Sequence, residues 1–167
     1  GKRVLPAVSP AFIWYPYGES KEFPLVGNGG RNAMAGPVFY SDDFKSATRA
    51  FPKYYDGKLF TYDWMRGWII SVTLDNDGNF SSMEKFMPSY KFSNPMDMEF
   101  AANGDLYMLE YGSGWFSAND DARLIRIEYN GGNRKPLIVL TADKMGGSVP
   151  FTAKLSSTGT TDADGDT

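Results

Sequence analysis

The sequence contains no histidine and no cysteine among its 167 residues. Without imidazole, catalysis by Ser-His-Asp or Cys-His arrangements is excluded within this chain. The missing thiols also exclude a Cys/His zinc site, a disulfide framework and covalent haem attachment. Any chemistry must therefore rest on carboxylates, Arg and Lys, hydroxyl groups or a bound cofactor.

Basic excess and long apolar runs are absent too. Seventeen Lys and Arg stand against twenty Asp and Glu, a net charge of −3, which does not indicate a nucleic-acid partner. No apolar run approaches the roughly 18 residues that a membrane span requires, so no span is predicted. The start, Gly1-Lys2-Arg3-Val4, lacks the apolar segment of a signal peptide, and we expect a fragment boundary there.

Aromatic residues are abundant, with 12 Phe, 10 Tyr and 4 Trp, and 18 Gly and 10 Pro interrupt them. This composition favours short strands joined by tight turns. The only helical pattern covers residues 42–50 and would end before Pro52. Strands are predicted at residues 11–15, 37–40, 58–62, 68–74, 98–101, 105–110 and 123–129. We therefore expect an all-β fold.

The chain also repeats itself. Residues 57–60 recur in pattern at 104–107, and residues 69–74 recur at 124–129. A repeat of about 40 to 50 residues with several strands is typical of a propeller blade, which must stack on its neighbours to bury its faces. A closed propeller needs about four to eight blades, and this chain has room for two or three. The sequence thus predicts a piece of a propeller.

The composition changes after Tyr129. Residues 130–136 are typical of a linker, and the sequence beyond them is rich in Ser, Thr, Gly and Asp. Residues 137–141 and 151–155 are predicted to be two strands of a separate β module.

Four segments carry a resemblance to a known family. They are Pro-Ala-Phe-Ile-Trp-Tyr-Pro-Tyr-Gly at 10–18, Gly-Gly-Arg-Asn-Ala-Met-Ala-Gly-Pro-Val-Phe-Tyr at 29–40, Tyr-Asp-Gly-Lys-Leu-Phe-Thr-Tyr-Asp-Trp-Met-Arg-Gly-Trp at 55–68 and Asn-Pro-Met-Asp-Met-Glu-Phe at 94–100. Together they resemble the C-terminal part of the glucose/sorbosone dehydrogenase family over about residues 4–134. More narrowly, the chain is similar to large exported bacterial proteins in which this propeller precedes a PKD domain.

The resemblance implies a domain organisation and a location. Residues 1–132 would be the last two to three blades of a six-bladed β-propeller. Residues 133–167 would be the N-terminal portion of a PKD domain, an incomplete Ig-like β-sandwich. The parent protein would be periplasmic, cell-surface or secreted, and the remaining blades of the parent chain would be partners of this segment.

The resemblance also implies a cofactor. Enzymes of the family hold pyrroloquinoline quinone beside calcium, and a histidine in an early blade, outside this chain, takes the proton from the sugar. Tyr15 would supply the aromatic ring over the quinone, and Asp97 is retained. The sequence departs from the family at Met65, where lysine is expected, and at Asn94 and Met96, where arginines are expected. The quinone carboxylates thereby lose their strongest contacts.

Two arginines are further candidates for cofactor binding, and each has an alternative role. Arg66, between Trp64 and Trp68, would bind an anionic cofactor or a sugar hydroxyl, or would stack on the rings to order a blade corner. Arg31 ends the glycine-rich run 27–31, which suits either an anion site lined by backbone N–H groups or a sharp turn.

The acidic candidates carry the same ambiguity. Asp97 would hold a metal or orient a basic partner, or would cap a turn. Glu110 and Tyr111 would face the same loop surface, or would form a solvated strand end. The acidic loops 75–78 and 162–166 resemble calcium loops but are also simple turn sequences.

Nine aromatic residues lie near predicted turns, where they suit either a carbohydrate-binding face or packing between blades: Trp14, Tyr15, Tyr17, Tyr62, Trp64, Trp68, Tyr111, Trp115 and Phe116. The sequence therefore gives two hypotheses. In the first, the parent protein oxidises a sugar hydroxyl or aldose with a quinone and calcium. In the alternative, it is a non-catalytic propeller–PKD protein that binds a glycan or a protein partner.

Overall fold

The computed structural model describes residues 3–4, 6–8, 10–47, 50–129, 131–132 and 136–161. It divides into two compact units, residues 1–129 and 130–167. The all-β prediction is confirmed, because helical structure in the described residues is limited to 3₁₀ turns at Pro24–Val26, Ser41–Phe44 and Lys53–Tyr55. The helix predicted at 42–50 is wrong over its described part. Its one short turn is below the length at which a helix stabilises itself, and Phe44 packs on Phe39 instead.

The first unit begins with a four-stranded sheet, sheet A. Its strands are β1 (Ala33–Val38), β2 (Leu59–Asp63), β3 (Trp68–Leu74) and β4 (Phe80–Phe86), each antiparallel to the next in chain order. The predicted bounds of β3 are confirmed. The strand predicted at 11–15 is wrong: that segment has no regular structure.

A second sheet, sheet B, repeats the same meander with three strands. These are β5 (Pro95–Phe100), β6 (Leu106–Glu110) and β7 (Arg123–Ile127). In both sheets the second strand follows a glycine of positive φ, Gly57 at 72° and Gly104 at 83°, a conformation that favours glycine. The sequence repeat therefore corresponds to a structural repeat.

Sheets A and B pack face to face through an aromatic-rich core. Its fully or nearly buried members are Phe39, Phe51, Phe60, Tyr62, Ile69, Phe86, Phe92, Met98, Leu106 and Met108. A second core covers the other face of sheet A, where the N-terminal segment packs on the strands; its members are Tyr15, Phe23, Val26, Ile70 and Val72. Sheet A is thus buried on both faces, as the near-continuous apolar run of β3 requires.

The two sheets present unlike faces to each other. In the sequence repeat, Leu106 corresponds to Leu59 and Leu109 corresponds to Tyr62. Tyr62 lies in the core between the sheets, whereas its counterpart Leu109 lies on the far face of sheet B and is 43% exposed. Leu106, in turn, is fully buried against sheet A. The stacking is therefore head to tail, and the far face of sheet B is left exposed.

The second unit is a short antiparallel ladder. Strands β8 (Thr141–Ala142) and β9 (Leu155–Ser156) pair with each other, and a bridge joins Leu137 to Thr161. Apolar side chains remain exposed along it, including Leu140 and Leu155 at 64% and 68%. The second acidic loop, residues 162–166, and much of the predicted linker lie outside the described residues.

Candidate functional site

Several connections of the first unit meet at one edge of the two sheets, which we call the loop edge. It comprises the segment 27–32 before β1, the β2–β3 loop 64–67 and the β6–β7 loop 111–122. The Asn94 amide donates to the Trp64 carbonyl at 2.9 Å, and the Trp64 and Tyr111 rings lie 5.6 Å apart. Sheets A and B are thereby joined at this edge.

A buried carboxylate, Asp63, organises the sheet A side of the loop edge. It is fully buried at the end of β2 and accepts three hydrogen bonds. The donors are the Tyr15 hydroxyl at 2.7 Å, the Asn32 backbone N–H at 3.0 Å and the Arg66 backbone N–H at 2.9 Å. Burial, and then the hydrogen bond to Asp63, raise the pKa of Tyr15 well above its ordinary value. Tyr15 is therefore a protonated donor at neutral pH.

Arg66 is committed to the backbone of the N-terminal segment. Its guanidinium donates through all five N–H groups, to the carbonyls of Pro16, Val26, Gly27, Gly29 and Gly30, at 2.7 to 3.0 Å. It also lies over the Tyr15 ring, 4.6 Å from the centroid. An anion could reach these donors only by displacing the glycine-rich segment that they hold in place.

Arg31 has a different environment. Its side chain is exposed, one Nη1 N–H donates to the Tyr15 carbonyl, and the guanidinium lies 4.9 Å from the centre of the Tyr17 ring. Within the described part of the chain, Arg31 forms no ion pair. It therefore presents positive charge to solvent in an orientation fixed by the protein.

Asp97 lies apart from these residues. It sits within β5, opposite Leu109 on the exposed face of sheet B, beside a register irregularity between Pro95 and Asp97. Its Oδ1 accepts the backbone N–H of Met98 at 2.9 Å. Local capping of this kind was one of its two predicted roles.

Aromatic rings form a pocket on the loop edge. Trp64 and Trp115 lie 5.1 Å apart and nearly perpendicular, and Phe116 stands 4.5 Å beyond Trp115. The concavity beside them, the aromatic pocket, has a volume of about 380 Å³ and is lined by Arg31, Asn32, Trp64, Met65 and Trp115. Trp115 is 68% exposed and Phe116 85% exposed, which is unusual for such large apolar side chains.

Polar side chains hold the β6–β7 loop in this conformation. The Asn119 amide donates to the carbonyls of Tyr111 and Gly114, both at 2.9 Å, and its oxygen accepts the Gly114 N–H. Asp121 accepts from the backbone N–H of Ser113, which lowers the pKa of its carboxyl. The loop therefore presents its rings from an ordered backbone, a condition for binding without a large ordering cost.

Glu110 is not the solvated strand end that the sequence allowed. It is 1% exposed, its carboxylate accepts from Arg123 Nε at 2.7 Å and from the Ser93 N–H at 2.8 Å, and Arg123 also reaches the Tyr90 hydroxyl. Glu110 corresponds in the repeat to Asp63. Both sheets thus end their second strand in a buried, hydrogen-bonded carboxylate. Sequence reasoning missed Asp63, although this correspondence was available to find it.

Of the four residues proposed for the quinone, Arg31 and Arg66 both contact Tyr15, whereas Asp97 lies apart in β5. Arg66 covers the Tyr15 ring and has no free donor, and Asp97 lies on another face. Of the two arginines proposed for the quinone, Arg31 is the one with an exposed side chain. For calcium, no group of three or more acidic side chains suited to a metal occurs among the described residues.

The acidic loop 75–78 is the hairpin turn between β3 and β4. The carboxylate of Asp75 accepts the N–H groups of Asp77 and Asn79 at 3.0 and 2.8 Å. Those bonds, the one from Asn79 foremost, lower the pKa of Asp75. Its oxygens are therefore used in the turn, the simpler of its two predicted roles.

No protein-family model, curated protein or solved structure matches this chain. Across the described residues, no helix has both the length and the apolar character needed to cross a membrane.

Proposed function

We propose that the first unit is part of a β-propeller whose loop edge binds sugar. The observation that carries the sugar proposal is the aromatic pocket, where the exposed indole of Trp115 and the partly buried indole of Trp64 stand beside an amide and a guanidinium that forms no ion pair with the described residues. The C–H face of a pyranose packs on an aromatic ring, and its hydroxyls need polar partners at the rim. Small-molecule sites in general combine apolar walls with a few placed polar groups.

The propeller proposal is supported by head-to-tail stacking of two antiparallel meanders. Repeats stacked in this way present end faces to further repeats; here the N-terminal segment covers the end face of sheet A, and the end face of sheet B is apolar in part. The outer face of sheet B exposes Leu109 and Leu124, the latter at 64%. Beside the other face of sheet A lies an apolar concavity of about 260 Å³ lined in part by Ile13 and Trp68. In this proposal the remaining blades of the parent chain cover these surfaces.

Isothermal titration calorimetry tests the sugar proposal, with a panel of neutral and acidic oligosaccharides as ligands. Trp115→Ala removes one wall of the pocket and should abolish most binding. Trp14→Ala removes an indole that is 56% exposed and lies outside the pocket, so it should bind like the unchanged protein. Equal binding by both variants, or no binding by the unchanged protein, would reject the proposal.

Sugar oxidation by the parent protein is the second candidate, favoured by the presence of a sugar-suited pocket next to the exposed guanidinium of Arg31. It rests on the family resemblance of residues 4–134. Because Arg66 and Tyr15 are engaged with each other, residues other than these would have to hold a quinone and calcium. Dye-linked aldose oxidation by the parent protein supplied with pyrroloquinoline quinone and calcium supports this candidate, and its absence sinks it.

For the second unit we propose the opening of a PKD-type β-sandwich in an exported protein. Its two-stranded ladder leaves Leu137, Leu140 and Leu155 more than half exposed, and a β-sandwich needs further strands to cover such side chains. Extending the chain at its C-terminus should produce a cooperative unfolding transition in this unit. A transition unchanged by the extension would count against the proposal.

A further inference from the structure

We propose that the aromatic pocket takes an acidic sugar, a hexuronate residue whose carboxylate pairs with Arg31. This inference rests on the proposed sugar-binding function and names the class of sugar. The evidence is the charge balance around Tyr15, the free donors of Arg31 and its position on the pocket wall.

The charges around Tyr15 do not balance. Asp63 accepts the Tyr15 hydroxyl, Arg31 donates to the Tyr15 carbonyl and Arg66 lies over the Tyr15 ring, so the three side chains form one local cluster. It contains one carboxylate and two guanidinium groups, which leaves a surplus of one positive charge. Asp63 is fully buried and already accepts three hydrogen bonds, and Arg66 spends its donors on backbone carbonyls. The surplus therefore appears at the surface, on Arg31.

Both arginines of β7 pair with a carboxylate, and Arg31 differs from them in this respect. Arg123 pairs with the buried carboxylate of Glu110 and Arg126 pairs with that of Asp105, each through Nε. Arg31 has no carboxylate partner in the described ranges, and only one of its N–H groups is used, by the Tyr15 carbonyl. The remaining donors can take a carboxylate in the two-point geometry that guanidinium favours.

The position of Arg31 is also fixed before any ligand arrives. The Tyr15 carbonyl holds one end of the guanidinium and the Tyr17 ring lies against its face. The side chain thus loses little freedom on pairing with an anion, and lysine could not reproduce the two-point contact.

Arg31 shares the pocket wall with Trp64, Trp115 and Asn32. A pyranose stacked on an indole would present its ring substituents at the rim, where the guanidinium and the amide lie. A carboxylate on the ring would meet Arg31, and a hydroxyl in its place would offer only a neutral acceptor. Hydrogen bonds to a charged partner are stronger than neutral ones, so the acid should bind about tenfold more tightly.

The experiment compares an oligogalacturonate with its carboxyl-reduced, neutral counterpart by calorimetry. Three variants are used with the unchanged protein: Arg31→Gln, Arg31→Lys and Lys45→Gln, a charge-matched control on another surface, where the Lys45 side chain is 72% exposed. We expect the acid to bind about tenfold more tightly than the neutral sugar. Arg31→Gln should remove that difference by lowering the affinity for the acid far more than the affinity for the neutral sugar, Arg31→Lys should restore part of it, and Lys45→Gln should leave it intact.

The outcomes separate the two proposals. If both sugars bind equally, or if Arg31→Gln leaves the preference unchanged, the acidic-sugar inference is overturned and the sugar-binding function stands. If neither sugar binds, both fail. The preference should also shrink as salt is raised, because a pair at the surface is screened.

Discussion

Replacing Arg66 with lysine keeps a positive charge at the loop edge and removes the planar fork that reaches five carbonyls. Three of those bonds, to Pro16, Val26 and Gly30, are partly buried, and two, to Gly27 and Gly29, are exposed. Water replaces the exposed bonds at little cost. Each partly buried bond contributes about 1 kcal/mol net, and the ammonium can restore one of them. We therefore expect Arg66→Lys to lower the free energy of unfolding by about 2 kcal/mol.

The assay is urea unfolding followed by tryptophan fluorescence, with amide hydrogen exchange at Gly29 as a local reporter. The Gly29 N–H donates to the Tyr17 carbonyl at 2.7 Å and should exchange faster in the variant. Arg31→Lys is the matched control, because Arg31 makes a single bond to the backbone and should cost less than about 0.5 kcal/mol. Equal losses in the two variants, or unchanged exchange at Gly29, would refute the assignment of Arg66 as the anchor of this segment.

Three further predictions concern single positions. Folding raises the pKa of Tyr15, so the free energy of unfolding should fall as the pH rises above 10.0, the ordinary pKa of tyrosine. The fall should be less steep in Tyr15→Phe, and urea titrations at several alkaline pH values measure it. Phe116 has a φ of 53°, a conformation that asparagine adopts more readily, so Phe116→Asn should leave the free energy of unfolding unchanged or raise it by up to about 1 kcal/mol. A clear loss in urea unfolding would contradict the claim that the backbone is strained at this position. In Gly67→Ala, the new Cβ would lie 2.6 Å from the Phe92 carbonyl oxygen at a φ of 63°, so the free energy of unfolding in urea should fall by about 2 kcal/mol or more. Gly57→Ala is the control: Gly57 has a φ of 72° and open space around it, so the fall should be about 1 kcal/mol.

Strands were predictable where the apolar pattern was strong. The run Trp68–Leu74 contains enough β-branched and aromatic residues to identify β3 with its bounds. Strand β4 (Phe80–Phe86) was missed because serine, glutamate and lysine occupy much of it, as suits a strand at the edge of a sheet. Residues 11–15 have the composition of a strand, but Tyr15 packs on sheet A through its ring and hydroxyl, and only the tertiary structure determines that.

The candidate site was predictable in its parts and not in its grouping. The sequence identified Arg31, Trp64 and Trp115 as separate candidates, and the structure brings them to one pocket. It also named Arg66 as a candidate ligand, yet the five carbonyls around that guanidinium come from a segment far away in sequence. Hydrogen bonds between distant segments leave no local pattern, so the division between anchoring and exposed arginines could not be read from the chain.

The indole N–H resonances of the four tryptophans test the central claim, that the loop edge binds sugar, most directly. An oligogalacturonate titration followed by NMR should shift the signals of Trp64 and Trp115, which line the pocket. The signals of Trp14, which lies outside it, and of Trp68, whose N–H is held by the Val26 carbonyl at 2.9 Å, should stay in place. Shifts confined to Trp14 or Trp68, or no shift at all, would contradict the account.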